Sequence, residues 1–305
     1  MFTKKTTRSA LVLLVVLALA APIISAVSSL PVAPEANVEV AAVASNDVET
    51  PVEEQIQLQS QITYDSVRVD GVPMTADPMV TDVEGETYVS LRAVSQALDS
   101  AVQAIWDGQQ AKVVHWGVVD VIAVPGACYV TANDRCLYVP HGVQTADGAV
   151  LVPLATLCKA FDASYVANDD GTFDLTRGSG AIIPAWEFYD NDDLYWLSHI
   201  INAESGNQPL SGKMAVGNVV LNRVADSRFP DTVKGVVFQK NQFTPVRNGS
   251  INKTPNAESV LAAKLCLDGG EALEGVLWFN VKGLSSWASR NRPVVATIAG
   301  HTFFA

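Results

Sequence analysis

Cysteine, methionine and histidine are scarce in this 305-residue chain, at four residues each. Basic side chains are outnumbered, 20 against 32 acidic ones, for a formal net charge of −12. That balance disfavours a nucleic-acid binder, which needs a basic stripe to neutralise phosphates. No CxxC pair occurs, so a structural zinc site is not expected. No HExxH occurs either, which weakens a metal-dependent amidase or peptidase. Charged residues are only 17% and hydrophobic ones 49%, which excludes a wholly disordered chain. The length suits two domains. Past the N-terminus no second apolar run of membrane-spanning length follows, so the mature chain is expected to be soluble.

Lys4, Lys5 and Arg8 precede an unbroken apolar run, Ala10 to Ala21, then Pro22 and small residues ending at Ala26. This order is that of a secretory signal. Residues 1–26 are therefore expected to direct export, touching the membrane only transiently, with the product secreted or wall-associated. An uncleaved anchor is the alternative, but the run is short for a span of roughly 20 residues. Residues 27–60 hold Pro31, Pro34, Pro51 and the acids Glu35, Glu39, Asp47, Glu49, Glu53 and Glu54, with no Lys, Arg or aromatic residue. They cannot bury enough apolar surface to offset ordering entropy, and a disordered acidic linker is expected.

An internal repeat follows. TYVSLRAVSQALDSAVQAIWDG (87–108) and VLVPLATLCKAFDASYVANDDG (150–171) share Val89/Val152, Leu91/Leu154, Ala97/Ala160, Asp99/Asp162, Ala104/Ala167, Asp107/Asp170 and Gly108/Gly171 at an offset of 63. Each copy reads as strand, short helix, strand, turn. Leu91, Val94 and Leu98, like Leu154, Leu157 and Phe161, line one helical face. The two Asp-Gly pairs signal hairpin turns. The pattern YVSLRAVSQALDSAV…WD resembles the copper amine oxidase N-terminal-like domain, over 61–178. The resemblance implies a binding or spacing module for the envelope. No copper is expected, since a copper site wants several imidazoles and this region offers only His115 and His141.

Four cysteines in an exported chain permit disulfides. Cys128 and Cys136 flank ACYVTANDRCL, which reads as a hairpin, and are the favoured bridge. Cys158 and Cys266 read as buried thiols on helices.

From about residue 190 the pattern turns helical, so the chain as a whole is expected to be α+β. Asp192 or Asp193 can cap a helix running to Glu204, with Leu197, Ile200 and Ile201 on its apolar stripe. Glu204 lies on the same side, at the last turn before Ser205-Gly206. Burial and the negative end of the helix dipole both raise a carboxyl pKa there, which suits a general acid. A second helix is expected over SGKMAVGNVVLNRV, with Ser211 as cap and Gly217 marking a close approach. Thr232 to Phe238 reads as a short helix, Gln239 to Asn248 as a loop, and Thr254-Pro255 as the start of a helix to Asp268. The tail carries Trp278, Asn280, Trp287 and His301, aromatic and amide groups suited to sugar rings.

HIINAESGNQPLSGKMAVGNVVLNRV (199–224), FPDTVKGVVFQKNQFTPVRNGSINKTPN, the W-F-N of 278–280 and SRNRPVVATIAGHTFF together are similar to the SleB/CwlJ cell wall hydrolases, the spore cortex-lytic family. The likeness covers 190–305 and implies a mainly helical, lysozyme-like catalytic domain. It implies cleavage of the MurNAc–GlcNAc bond of peptidoglycan, with lytic transglycosylase activity described for members, and makes Glu204 the catalytic residue. It also implies that Gln242, Phe243 and Thr244 line the substrate groove, with Trp278 and Asn280 across from them. No cofactor or metal is implied; the partner is the glycan strand. The spore enzyme carries a different N-terminal domain, so spore cortex and vegetative wall both stay open. So do a muramidase hydrolysing the same bond and a non-catalytic envelope binder. A two-carboxylate hydrolase needs a second acid about 5–9.5 Å away; Asp226 and Asp231 are the nearest downstream.

Overall fold

The structure is a computed structural model that describes residues 63–305. The expected signal (1–26) and acidic linker (27–60) lie outside the described residues. Strands β1 (Tyr64–Val69), β2 (Val72–Met74), β3 (Thr81–Val83) and β4 (Glu86–Ser90) lead into helix α1 (Leu91–Leu98). A meander follows: β5 (Gln103–Trp106), β6 (Ala111–His115), β7 (Val119–Ala123), β8 (Tyr129–Ala132) and β9 (Arg135–Tyr138). The second copy supplies β10 (Gln144–Ala146), β11 (Ala149–Pro153), α2 (Leu154–Ala160), β12 (Ser164–Ala167) and β13 (Phe173–Thr176).

The repeat is closed by its own symmetry. Strands β4 and β11 pair antiparallel, with Val89 facing Val152. These are the equivalent residues of the two copies, so a local twofold passes between them. The resulting sheet runs β10-β11-β4-β3, one hairpin from each copy. The symmetry ends there, because β13 pairs in parallel with β1 while β6 joins the meander. Leu91, Val94, Leu154, Leu157 and Phe161 all enter the apolar core of this half. Ser90 caps α1 by accepting from the Ala93 N–H at 3.3 Å; the second copy has Pro153 there and no side-chain cap.

The expected Cys128–Cys136 bridge is not made: all four cysteines are free thiols. The hairpin itself is present. Asn133 and Asp134, both at positive φ (47° and 63°), turn β8 into β9, as a tight two-residue turn requires. The register sets Cys136 opposite Thr131, whereas Cys128 lies opposite Val139, whose N–H donates to its carbonyl. The two thiols are thus three positions apart along the ladder, roughly 10 Å, and on opposite faces.

The helical half contains α3 (Ala185–Phe188), α4 (Asn191–Ser205), α5 (Leu210–Ala225), α6 (Val233–Val237), α7 (Thr244–Asn248) and α8 (Ala257–Leu267). Its core joins Leu197, Ile200 and Ile201 of α4 to Met214, Val216 and Val220 of α5 and Ala262, Leu265 and Cys266 of α8. Gly217 lets these helices meet: a Cβ there would lie 2.8 Å from the Cys266 Sγ and 3.0 Å from Ile201 Cδ1. Three boundaries differ from expectation. The caps are Asp190 for α4, Pro209 for α5 and Asn256 for α8, and part of the expected 239–248 loop is α7. The tail folds as β14 (Trp278–Val281), α9 (Trp287–Asn291), β15 (Val294–Ile298) and β16 (His301–Phe304), in an antiparallel sheet ordered β14-β16-β15. No helix among the described residues is long and apolar enough to cross a membrane.

The two halves meet through a buried polar hub. Asp268, the C-cap of α8, accepts from Arg135 Nε at 3.0 Å and Nη2 at 2.5 Å, and from the Tyr189 hydroxyl. The Arg135 guanidinium also lies 3.2 Å from the Phe188 ring centroid. Lys159 donates to the Asp268 carbonyl at 2.7 Å. Cys136 joins the helical core from β9, and its N–H donates to the Tyr189 hydroxyl at 3.1 Å.

Candidate active site

The position of Glu204 follows from where α4 starts. The Asp190 carboxylate accepts from the N–H groups of Asp192 and Asp193 at 2.8 and 3.0 Å, relieving two of the unpaired donors of the first turn. With that start, Leu197, Ile200 and Ile201 are fully buried. Glu204, seven residues after Leu197 and four after Ile200, continues the stripe one turn further and is half-buried. Ser205 closes the helix by donating to the Ile201 carbonyl at 2.7 Å. Gly206 then turns the chain; a Cβ there would meet the Asn202 carbonyl at 2.5 Å.

Neighbouring groups brace this helix end from both sides. Asn202 Oδ1 accepts from the Asn256 N–H at 3.1 Å, and the Asn256 amide donates to the Gly206 carbonyl at 3.0 Å. Lys213, buried at the start of α5, donates to the Gln208 carbonyl at 2.5 Å and pairs with Glu258. Gln208 Oε1 accepts from the Gly300 N–H at 3.0 Å, tying the α4–α5 connection to the β15–β16 turn. Glu204 itself has no hydrogen-bond or ion-pair partner among the described residues. Burial alone pushes its carboxyl up to about 7. At neutral pH such a group is divided between acid and carboxylate, the condition for giving and then taking a proton.

The two acids expected as a second carboxylate are placed elsewhere. Asp226 lies past the far end of α5, whose 16 residues span about 24 Å. Its hydrogen bonds with Arg228 hold it down at about 2. Asp231 is exposed, just before the Thr232 cap of α6. His199 is also committed elsewhere: its Nδ1 donates to the Ile251 carbonyl at 2.6 Å, and its ring stacks on Tyr195 at 4.1 Å.

The expected groove residues separate into different roles. Gln242 and Thr244 are exposed. Phe243 is a core side chain, only 6% exposed and tilted against Phe279 at 6.4 Å, so its ring is not available to line a groove. Asn280 is half-buried, and its amide donates to the Leu284 carbonyl at 2.9 Å and the Ser286 hydroxyl at 2.8 Å. Its NH2 thus braces the loop after β14. Trp278 is half-buried beside Trp287 (5.8 Å) and under the Arg292 guanidinium (4.3 Å). No hydrogen bond joins any of these five to Glu204.

Arg223 was not foreseen and organises this side. It is buried on α5, donates to the Leu277 carbonyl at 2.8 Å and to Gln242 Oε1 at 3.3 Å, and lies 5.5 Å from the Phe243 ring. Burial lowers its pKa to about 10. Its place in the last turn of α5 was the only available signal, and that reads equally well as a favourable helix-dipole charge. Among the described residues no group of three or more His, Cys, Asp or Glu side chains is placed to hold a metal ion. His115 instead pairs with Asp99, and His141 with Glu84.

Residues 207–304 match the Cell Wall Hydrolase family, and residues 66–173 match the copper amine oxidase N-terminal domain. Glu204 lies just ahead of the cell wall hydrolase match. A spore cortex-lytic enzyme of Bacillus cereus is 34% identical over 116 residues, covering 38% of this chain and 45% of that protein. One from Oceanobacillus iheyensis is 32% identical over 116 residues, covering 38% of this chain and 42% of its own length. This chain thus spans under half the length of these curated relatives. The catalytic domain of the germination-specific lytic transglycosylase SleB from Bacillus anthracis is 31% identical, with a TM-score of 0.36, over 38% of this chain and 97% of that one. The helical half of this chain thus carries a cell wall hydrolase domain match, and it follows a match to the copper amine oxidase N-terminal domain.

Proposed function

We propose that this protein is an exported peptidoglycan-degrading enzyme that cleaves the MurNAc–GlcNAc bond as a lytic transglycosylase. In this reading residues 1–26 direct export and 27–60 are a spacer. Residues 61–178 form an accessory module, and 190–305 carry the chemistry. The observation that carries the reading is Glu204: a half-buried, unpartnered carboxyl raised to about 7 at a helix end. The relatives' names, spore cortex-lytic enzyme and lytic transglycosylase, support wall glycan as substrate.

The reaction uses that one group twice. Glu204 gives its proton to the bridging oxygen as the bond from C1 of MurNAc breaks. The carboxylate then takes the proton of the C6 hydroxyl while that oxygen bonds to C1. The proton returns to Glu204, the departing sugar gains a hydroxyl, and the other end closes as a 1,6-anhydro ring without consuming water. Asp226 and Asp231 are poorly placed to activate water, which disfavours the hydrolytic version. Gln242 and Thr244 stay as candidate glycan contacts on the exposed α7 side, with Trp278 as an aromatic wall opposite.

Mass spectrometry of digested sacculi tests this. Anhydro-ended fragments, absent with Glu204→Gln, are expected. Reducing ends alone would make the enzyme a muramidase, and unaltered digestion by the variant would remove Glu204 from the chemistry.

A further inference from the structure

The β-rich half carries a cleft of about 700 Å³ that the proposed chemistry does not use. Two tryptophans line it, Trp116 and Trp186, which are 75% and 81% exposed. Leaving two indoles this open forgoes the burial that large aromatic side chains ordinarily gain. Ile183, half-exposed, adds an apolar wall, and Asp120, Thr131 and Asp134 supply polar groups at its rim.

The cleft is held in shape before any ligand arrives. Trp116 sits in the β6–β7 turn, closed by the Val118 N–H donating to the His115 carbonyl at 2.9 Å. Trp186 sits on α3, at the end of the strap that leaves the β-rich half. Asn133 ties the two together. Its amide donates to the Val118 and Ile182 carbonyls, both at 3.0 Å, and its Oδ1 accepts from the Asp120 N–H at 2.9 Å. Its backbone carbonyl accepts from the Ala185 N–H at 2.9 Å. One side chain thus fixes the turn bearing Trp116 and the strap bearing Trp186.

We propose that this cleft is a second glycan-binding site, in which pyranose faces of a wall strand stack on Trp116 and Trp186 while Asp120 and Asp134 accept from sugar hydroxyls or amides. The inference rests on the wall-degrading reading above and adds the means of staying on an insoluble substrate. Flat apolar ring faces with hydroxyl edges match exposed indoles rimmed by acceptors. A membrane surface matches poorly, because the rim carboxylates and the net charge of −12 repel anionic headgroups. The strap runs from Trp186 directly into α4, so a strand held here is anchored on the segment that leads to Glu204.

The test is co-sedimentation of the full chain with protein-free sacculi, in a Glu204→Gln background that stops cleavage. Adding Trp116→Ala and Trp186→Ala is expected to lower retention at least about tenfold, the effect of losing two ring stacks. The melting temperature should hold, because both rings are in solvent; Trp→Phe at both sites should restore part of the retention. Retention unchanged by the alanines overturns the proposal. So does failure of the Glu204→Gln protein itself to be retained; if the unsubstituted chain nevertheless digests sacculi, the wall-degrading reading survives alone. Retention lost in the tryptophan variant while the unsubstituted chain digests nothing leaves the cleft in place and removes that reading. Binding to phosphatidylglycerol vesicles that the alanines abolish, with sacculi unaffected, reassigns the cleft to lipid and overturns it.

Discussion

Asp268, the C-cap of α8, and Glu204, in the last turn of α4, both stand where the negative pole of a helix opposes a carboxylate. Their surroundings are opposite. Asp268 is fully buried and is met by Arg135, Lys159 and Tyr189, so its charge is answered from three directions. Glu204 is half-buried and met by nothing, so desolvation acts on it unopposed. A buried acid with a full set of partners is a joint between parts of the fold. One left without partners carries its instability as readiness to hold a proton.

The comparison is sharpened most by exchanging each acid for its amide. Glu204→Gln should lower turnover of sacculi at least about 100-fold with the fold retained by circular dichroism. Asp268→Asn should do the reverse. It leaves Arg135 buried without its charge partner and should destabilise by about 3–5 kcal/mol, read by urea unfolding, while folded molecules still cleave. Equal activity losses in both variants would break the distinction.

Stability against pH separates them next. In the unfolded chain Glu204 ionises near its ordinary value of 4.5, and in the folded one only at about 7. Below pH 4.5 both states hold the proton and nothing is lost. Between 4.5 and 7 the unfolded state releases it first, so stability falls as pH rises and stays lowered above 7. Glu204→Gln should therefore be about 1–3 kcal/mol more stable than the parent at pH 8, after discounting for partial solvent screening, and about equal to it at pH 4. A variant no more stable at pH 8 would mean that the carboxyl is solvated.

An effect of similar size concerns the packing that carries Glu204's helix. Gly217→Ala drives a Cβ against the Cys266 sulfur at 2.8 Å and should destabilise by about 1–3 kcal/mol. Cys266→Ala should recover part of that, as measured in a double-mutant cycle.

Much of this contrast was open to reading in one direction only. Local period exposed the repeat, the stripe Leu197–Ile200–Ile201 and the carboxyl at its end, because helical register is a short-range property. The twofold pairing of Val89 with Val152 was prefigured by the repeat, though not the strand exchange around β1. Asp268 gave no local sign, since its partner Arg135 is 133 residues away in sequence and comes from another sheet. Cys128 and Cys136 misled because a hairpin was recognised without its register, and a one-residue difference in parity sends side chains to opposite faces. Phe243 misled because an aromatic residue suits a glycan groove and an apolar core equally well.

The most direct measurement follows the Glu204 side-chain carboxyl carbon in 13C-glutamate-labelled protein, assigned by its loss in Glu204→Gln. A resonance with its midpoint near 7 is predicted, set by burial without a partner. A midpoint at 4 to 5, the range of an ordinary solvated glutamate, would contradict it.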